Sequence, residues 1–257
     1  MLARFDHVVL GVADLRSAAA AFREAGFDVF DRGGQSGPME NRLIRFPDRS
    51  FIELIAFHEP DRHRFWGPVS KGDGWVDYAL SVEGMEAMRR ALEGAGLPVA
   101  GIRRVAQPAA NGRNWEMDLL LAGLGVGSPA LPFLTQDLTP PDWRLPPLEP
   151  GRRQPGNAAG IAGATILVPS LAAMLSDLAA LCGAPSSLAK DAQGNAASAR
   201  FDFNGRWLEF AVPEPGGEAA AHLEKRGPGL YAVTLKSSRA RPGRLDVGDR
   251  FGAVLLL

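Results

Sequence analysis

A single cysteine, Cys182, serves the whole 257-residue chain, which excludes an internal disulfide and any zinc site built on several thiolates. It lies among Leu178, Ala180 and Leu181 and reads as a small core residue. No stretch approaches the roughly 20 consecutive apolar residues of a membrane span. The first residues lack the charged-then-apolar pattern of an export leader. Neither sign of charge is in excess: 28 Lys and Arg against 29 Asp and Glu leave a net charge of -1, so nothing in the composition draws a phosphate backbone. These absences lead to the expectation of a soluble, cytoplasmic protein with no nucleic-acid and no membrane partner. Histidine is also scarce. Imidazole chemistry has only His7, His58, His63 and His222 to draw on.

What the chain does have is repetition. "FDHVVLGVADL" at 5–15 aligns with "IAGATILVPSL" at 161–171, each a strand running into a helix start. Asp14 and Ser170 are placed to cap those helices, and Gly26 and Gly183 to end them. "LIRFPDRSFIELIAF" at 43–57 aligns with "ARFDFNGRWLEFAVP" at 199–213, each two extended runs around a tight turn. The offset from His7 to Gly163 is 156 residues, and from Glu53 to Glu209 it is the same. A more diverged unit begins with "WVDYALSVEGMEAMRRALEGAGLPV" at 75–99 and returns through 114–136. An abbreviated fourth, "GPGLYAVTLKS" at 227–237, sets Tyr231 on Tyr78, and the "RLDVGDRFGAVLLL" that follows reads as strand with no room for a helix. The implied organisation is a first pair of units over 1–138, a Pro/Gly-rich linker over 139–157 and a second, degenerate pair over 158–257.

Tandem βαβββ units of this kind, in an α+β fold with the last unit truncated, resemble the vicinal oxygen chelate superfamily of glyoxalases, extradiol dioxygenases and bleomycin-resistance proteins. The resemblance runs over most of the chain and is carried by "FDHVVLGVADL", "ENRLIRFPDRSFIELIAF" and "LPFL" at 131–134. It implies a cavity shared by two units, where a divalent ion held by side chains of the first and last strands chelates a substrate through two oxygens.

On that pattern His7 and Glu53 fall on ligand positions. Alternation puts His7 on one strand face with Phe5 and Val9, and Glu53 with Phe51, Ile55 and Phe57. A carboxylate among apolar neighbours wants a metal, a cation or a proton, so the two are expected to share a cation or to hydrogen-bond directly or through water. In the partner unit Tyr78 takes the histidine position, and the last strand offers Phe133, Thr135 and Gln136 with no carboxylate before Asp137. In the second pair Gly163 replaces the histidine, and Glu209 is expected to pair with Arg200 or Arg206. Asn41, preceded by Glu40, resembles an asparagine of the glyoxalase-like branch. Asn41, Tyr78, Trp115 and Phe133 are the candidate substrate-binding residues. Trp66 and Trp75 read as pocket walls or core anchors, His58 and His63 as loop residues beyond Glu53, and His222 as exposed on a helix.

Two functions follow from the resemblance. One is a metal-assisted lyase, isomerase or dioxygenase acting on a small oxygenated molecule in a cavity of the first pair, larger than any in the second. The other is a non-catalytic small-molecule binding or resistance protein with a degenerate metal site. The cofactor is thus a divalent metal ion or none, and the partners are a small-molecule ligand and a second copy in a homodimer.

Overall fold

The computed structural model describes residues 2–31, 39–59, 63–108, 112–123, 128–149, 151–238 and 243–257. Parts of the stretches read above, namely 60–62, 124–127 and residue 150, lie outside the described residues.

The first unit is β1 (Leu2–Gly11), α1 (Leu15–Glu24), β2 (Val29–Phe30), β3 (Met39–Arg45) and β4 (Phe51–Phe57). A short helix, α2 (Trp66–Val69), leads to the second: β5 (Gly74–Val82), α3 (Met85–Gly94), β6 (Arg103–Pro108), β7 (Asn114–Leu121) and β8 (Phe133–Asp137). Together they make one eight-stranded sheet in the order β2-β3-β4-β1-β5-β8-β7-β6. After the one-turn helix α4 (Pro141–Arg144), the third unit comprises β9 (Ile161–Leu167), α5 (Leu175–Cys182), β10 (Ser187–Lys190), β11 (Ala196–Phe203) and β12 (Arg206–Ala211). The fourth follows α6 (Glu218–Arg226) as β13 (Gly229–Leu235), α7 (Asp246–Asp249) and β14 (Val254–Leu256). The second sheet runs β10-β11-β12-β9-β13-β14. Among the described residues no helix is long and apolar enough to cross a membrane.

Local chemistry accounts for these elements. The Asp14 carboxylate accepts from the amides of Arg16 and Ser17 and caps α1. The turn between β11 and β12 places Asn204 (φ 47) and Gly205 (φ 72) in the left-handed region that a tight two-residue hairpin demands. Two expectations fail. Ser170 does not cap α5, because 171–174 form irregular turns and the helix starts only at Leu175, with no side-chain cap on Met174. The tail does hold a helix: α7 is one turn, ended by Gly252 at φ 61.

The repeat is exact in register. His7 pairs with Phe51 across β1 and β4, and Gly163 with Trp207 across β9 and β12, both shifted by 156 residues. The ring of His7 stacks on Phe51 at 4.5 Å. At Gly163 the indole of Trp207 lies where a Cβ would be. The second sheet has thus filled the imidazole's place with the neighbouring ring, as close packing requires. Gly163→Ala is expected to cost about 1–3 kcal/mol by overpacking, read as a lower urea midpoint, and a neutral result would show that the indole moves aside freely. The Tyr231–Tyr78 match does not hold. Gly163 pairs with Thr234 and His7 with Ala79, so Val233, not Tyr231, stands at the place of Tyr78, and Tyr231 sits in a register shift between Leu230 and Ala232.

One apolar core lies between the two sheets and includes Phe5, Val8, Leu10, Tyr78 and Leu80 from the first and Ile161, Ala164, Ile166, Phe201 and Phe210 from the second. Each fully buried large side chain contributes about 1.5–3 kcal/mol by leaving water. Polar links reinforce the contact: Arg206 pairs with Asp48 at 2.8 Å, and the Trp75 indole donates to the Val254 carbonyl. The opposite, concave face of the first sheet carries a separate cluster of Val9, Ile55, Phe65, Val76, Ala79, Trp115, Met117, Leu119 and Phe133.

Candidate active site

His7 lies on this concave face because β1 is bulged. Phe5 pairs with Leu80 and His7 with Ala79, so Asp6 is an extra residue in the ladder. The bulge inverts the alternation at one point. Phe5, expected beside His7, packs instead with Val8 and Leu10 in the central core, whereas Val9 keeps to the concave face. It also brings Asp6 into contact with its neighbour, and His7 Nδ1 donates to Asp6 Oδ2 at 2.7 Å.

Asp6 is fully buried and is gripped by Arg144 of α4, with nitrogen–oxygen distances of 2.6 and 3.1 Å. Burial alone would raise its pKa, but the Arg144 charge and the hydrogen bonds from His7 and Arg144 outweigh it and hold the carboxyl well below the usual range. An ionised carboxylate only accepts, so Nδ1 carries a proton, and whenever the ring carries just one, Nε2 is the acceptor. Arg144 also bonds Asp137 at 2.6 and 3.1 Å. The segment expected to be a linker therefore packs into the site, and its Leu145 lies in a cluster with Phe51 and Leu43.

The Nε2 atom of His7 stands 3.6 Å from Oε2 of Glu53, beyond direct hydrogen-bond distance. Asn41 donates to the other Glu53 oxygen at 2.5 Å. Phe133 meets the His7 ring edge-on at 5.2 Å. Trp115 belongs to the same concave cluster. His7, Glu53, Asn41, Phe133 and Trp115 thus share one face, and Tyr78 does not. It is buried in the central core behind the sheet and donates its hydroxyl to the Ala130 carbonyl.

The pairing of β1 with β5 shows why Tyr78 is misplaced by one residue. His7 faces Ala79 and Val9 faces Asp77, so a local twofold axis between the strands exchanges His7 with Asp77. Glu53 is beside Val9 and Phe133 beside Ala79, so the same axis exchanges Glu53 with Phe133. The four equivalent positions are His7, Glu53, Asp77 and Phe133. Asp77 is buried and pairs with Arg64 at 2.7 Å. Burial pushes its carboxyl up to about 7, against the pull of Arg64. Sequence reasoning missed Asp77, although an acidic residue inside the apolar strand "WVDYALSV" is the same signal that singled out Glu53.

Other expectations resolve locally. His58 pairs with Glu40 at 2.9 Å in an exposed position, and His63 contacts the rings of Phe57 and Phe65. Trp66 packs edge-on against Phe57, and Trp75 is a core anchor. His222 is half-buried against Tyr231 rather than exposed. Arg206 is engaged by Asp48 and Arg200 by Asp202, so neither makes the pair expected with Glu209. His7 is buried, 6% exposed. A cavity of about 370 Å³ lies elsewhere, lined by Arg45, Arg49, Leu145, Pro147 and Arg152.

The profile of the glyoxalase-like domain family matches residues 5–182 of this sequence. The chain belongs to the glyoxalase-like domain family. Among solved structures, this glyoxalase-like chain is similar to a hypothetical protein from Staphylococcus aureus at 13% identity, with 98% of this chain and 97% of that one covered and a TM-score of 0.70. A 4-hydroxymandelate synthase variant from Streptomyces coelicolor is 18% identical over 91% of this chain and 71% of that one, with a TM-score of 0.64. An Mn(II)-bound glyoxalase from Novosphingobium aromaticivorans is 14% identical over 99% and 81%, with a TM-score of 0.59. At these identities the likeness shows the shared fold. A comparison with curated proteins gives no match.

A metal-bound relative raises the question of whether the residues of this glyoxalase-like chain fit an ion. His7 and Glu53 offer a nitrogen and an oxygen, and Asp6 orients the imidazole as a carboxylate behind a metal-binding histidine does. Asp77, however, is committed to a guanidinium, and Phe133 has no donor atom. Among the described residues no three His, Cys, Asp or Glu side chains form a metal-holding group. Among the described residues this leaves two donors, fewer than the three protein ligands of a catalytic zinc site.

Proposed function

We propose that the concave face of the first sheet is an enzyme site in which His7 transfers a proton at a carbon next to a carbonyl group of a small oxygenated molecule. The single observation that carries this reading is the order Asp6–His7–Glu53. A buried ionised carboxylate holds the Nδ1 proton, leaving Nε2, on the Glu53 side of the ring, as a base. Glu53, fixed by Asn41, lies close enough to stabilise the imidazolium that forms when Nε2 takes a proton. The chemistry is that of an isomerase or a lyase. His7 and Glu53 stay the two donors that an added divalent ion would meet, but no step needs one. The second sheet, with Trp207 in place of an imidazole partner, is scaffold.

Hydrogen exchange tests the proposal. The full chain, stripped with a chelator, is incubated in D2O with hydroxyacetone as probe, and deuterium in the probe is followed by NMR. His7→Gln is expected to slow incorporation at least 100-fold while leaving the unfolding free energy within about 1 kcal/mol, since general-base catalysis contributes roughly 10²–10⁴-fold. Exchange that vanishes on chelation and returns with Mn(II) would replace this reading with metal catalysis.

A second reading is favoured by the apolar lining. Phe133 stands opposite Glu53 where a ligating side chain would be expected, and this supports a non-catalytic binding protein of the same fold. Exchange at the uncatalysed rate, together with saturable binding of hydroxyacetone, would select it.

A further inference from the structure

Arg64 approaches the concave face from the segment between β4 and α2. One terminal nitrogen, Nη2, pairs with Asp77 at 2.7 Å. The other, Nη1, is buried and has no hydrogen-bond partner among the described residues. A buried guanidinium donor left unsatisfied costs more than an ordinary hydrogen bond returns, so its persistence needs an explanation. The guanidinium lies over the ring of Phe133, 5.2 Å from its centroid, and that same ring meets His7 edge-on. Arg64 therefore reaches the half of the site that lacks ligating side chains, held there by the carboxylate at the twofold mate of His7.

We propose that Arg64 Nη1 is the electrophilic donor of the site, hydrogen-bonding the carbonyl oxygen of the substrate in the role that a metal ion would otherwise fill. The proposal rests on the proton-transfer reading of His7 and adds the residue that receives the charge. The proton leaves the carbon beside the carbonyl for His7 Nε2, and the C–H electron pair forms the new C=C bond. The carbonyl π pair moves onto oxygen, where Arg64 Nη1 meets the developing negative charge. The hydroxyl proton of the neighbouring carbon then passes to the former carbonyl oxygen, and return of the proton from His7 to the former carbonyl carbon gives the isomer, with no oxidant or reductant required. A fixed, buried guanidinium is worth most where charge develops and water is excluded.

The same surroundings define the substrate class. Glu53 and Asp77 sit on the same face as Arg64, so the guanidinium is already opposed by acidic groups. A carboxylate or phosphate ester would be repelled by them, whereas a neutral hydroxy ketone or hydroxy aldehyde keeps the oxygen that Nη1 requires. The substrate is thus an uncharged carbonyl compound.

The test uses the full chain with hydroxyacetone and, as the anionic counterpart, pyruvate. Arg64→Gln is expected to lower the exchange kcat for hydroxyacetone at least 100-fold with little change in KM, and Arg64→Lys to recover part of that loss. Pyruvate is expected to exchange at least 10-fold more slowly than hydroxyacetone in the unaltered protein. Exchange lost in His7→Gln but unchanged in Arg64→Gln would overturn the role of Arg64 and leave that of His7 standing. If the unaltered protein exchanges neither probe, the His7 reading fails, and hydroxyacetone binding followed by tryptophan fluorescence decides on Arg64. Binding weakened at least 10-fold by Arg64→Gln, with Arg64→Lys intermediate, supports the donor; equal or undetectable binding in all three proteins overturns it. Should Arg64→Gln unfold, the Arg64→Lys kcat against KM serves the same purpose, and unchanged kcat overturns the role.

Discussion

Replacing Arg144 with methionine is expected to destabilise the protein by about 3–5 kcal/mol, the cost of leaving a buried charge without its partner. Asp6 is fully buried, and after the replacement its remaining cation is Arg4, 3.6 Å away and itself partly exposed. Urea unfolding at neutral pH gives the number. Combining Arg144→Met with Asp6→Asn should recover part of the loss, because the asparagine brings no charge to bury. The pH dependence has a definite sign. Asp6 has a folded pKa below its unfolded one, so its contribution is full above about 3.8 and fades as the pH falls below that value. The acid-sensitive part of the stability curve should therefore shrink in Arg144→Met. A cost under 1 kcal/mol, with the acid limb unchanged, would mean that the Asp6–Arg144 contact does not hold the linker against the sheet.

Asp77 is expected to act in the opposite direction. Its carboxyl rises from 3.8 to about 7 on folding, chiefly through burial, so between those values the folded protein keeps a proton that the unfolded chain has released. Stability then declines as the pH rises from about 4 to 7 and is flat in this respect above 7. Three pH units correspond to roughly 4 kcal/mol. Thermal melting between pH 4.5 and 8 should show the decline in the unaltered protein and a flatter profile in Asp77→Asn, whose amide oxygen can still accept from the Tyr78 amide as Asp77 does at 2.8 Å. An identical slope in both proteins would place the titration elsewhere.

The sequence exposed the parts of this molecule that repeat or alternate. The 156-residue register, the Asp14 cap and the two hairpin turns depend on local spacing, and the pairings reproduce them, whereas His7, Glu53 and Asn41 were picked out by the family resemblance. Asp6 was hidden because a bulge is a change of phase in a pairing, and an apolar strand on both sides of it looks the same with or without the extra residue. The same loss of phase moved attention from Asp77 to Tyr78. Arg144 and Arg64 were hidden for another reason. They come from irregular segments without periodicity, and Arg144 meets a partner 138 positions away.

In each sheet the strand made first is the one that ends up in the middle. β1 lies between β4 and β5, and β9 between β12 and β13. During synthesis β1 therefore leaves the ribosome with both edges bare. It gains its parallel neighbour only when β4 emerges and its antiparallel one only with β5, and β9 repeats the wait with β12 and β13. Each half of the chain thus depends on sequence-distant pairings that pay loop-closure entropy before any contact rewards it, a pattern that slows folding. Two unpaired, strongly apolar strands are also the segments most exposed to aggregation until their neighbours arrive.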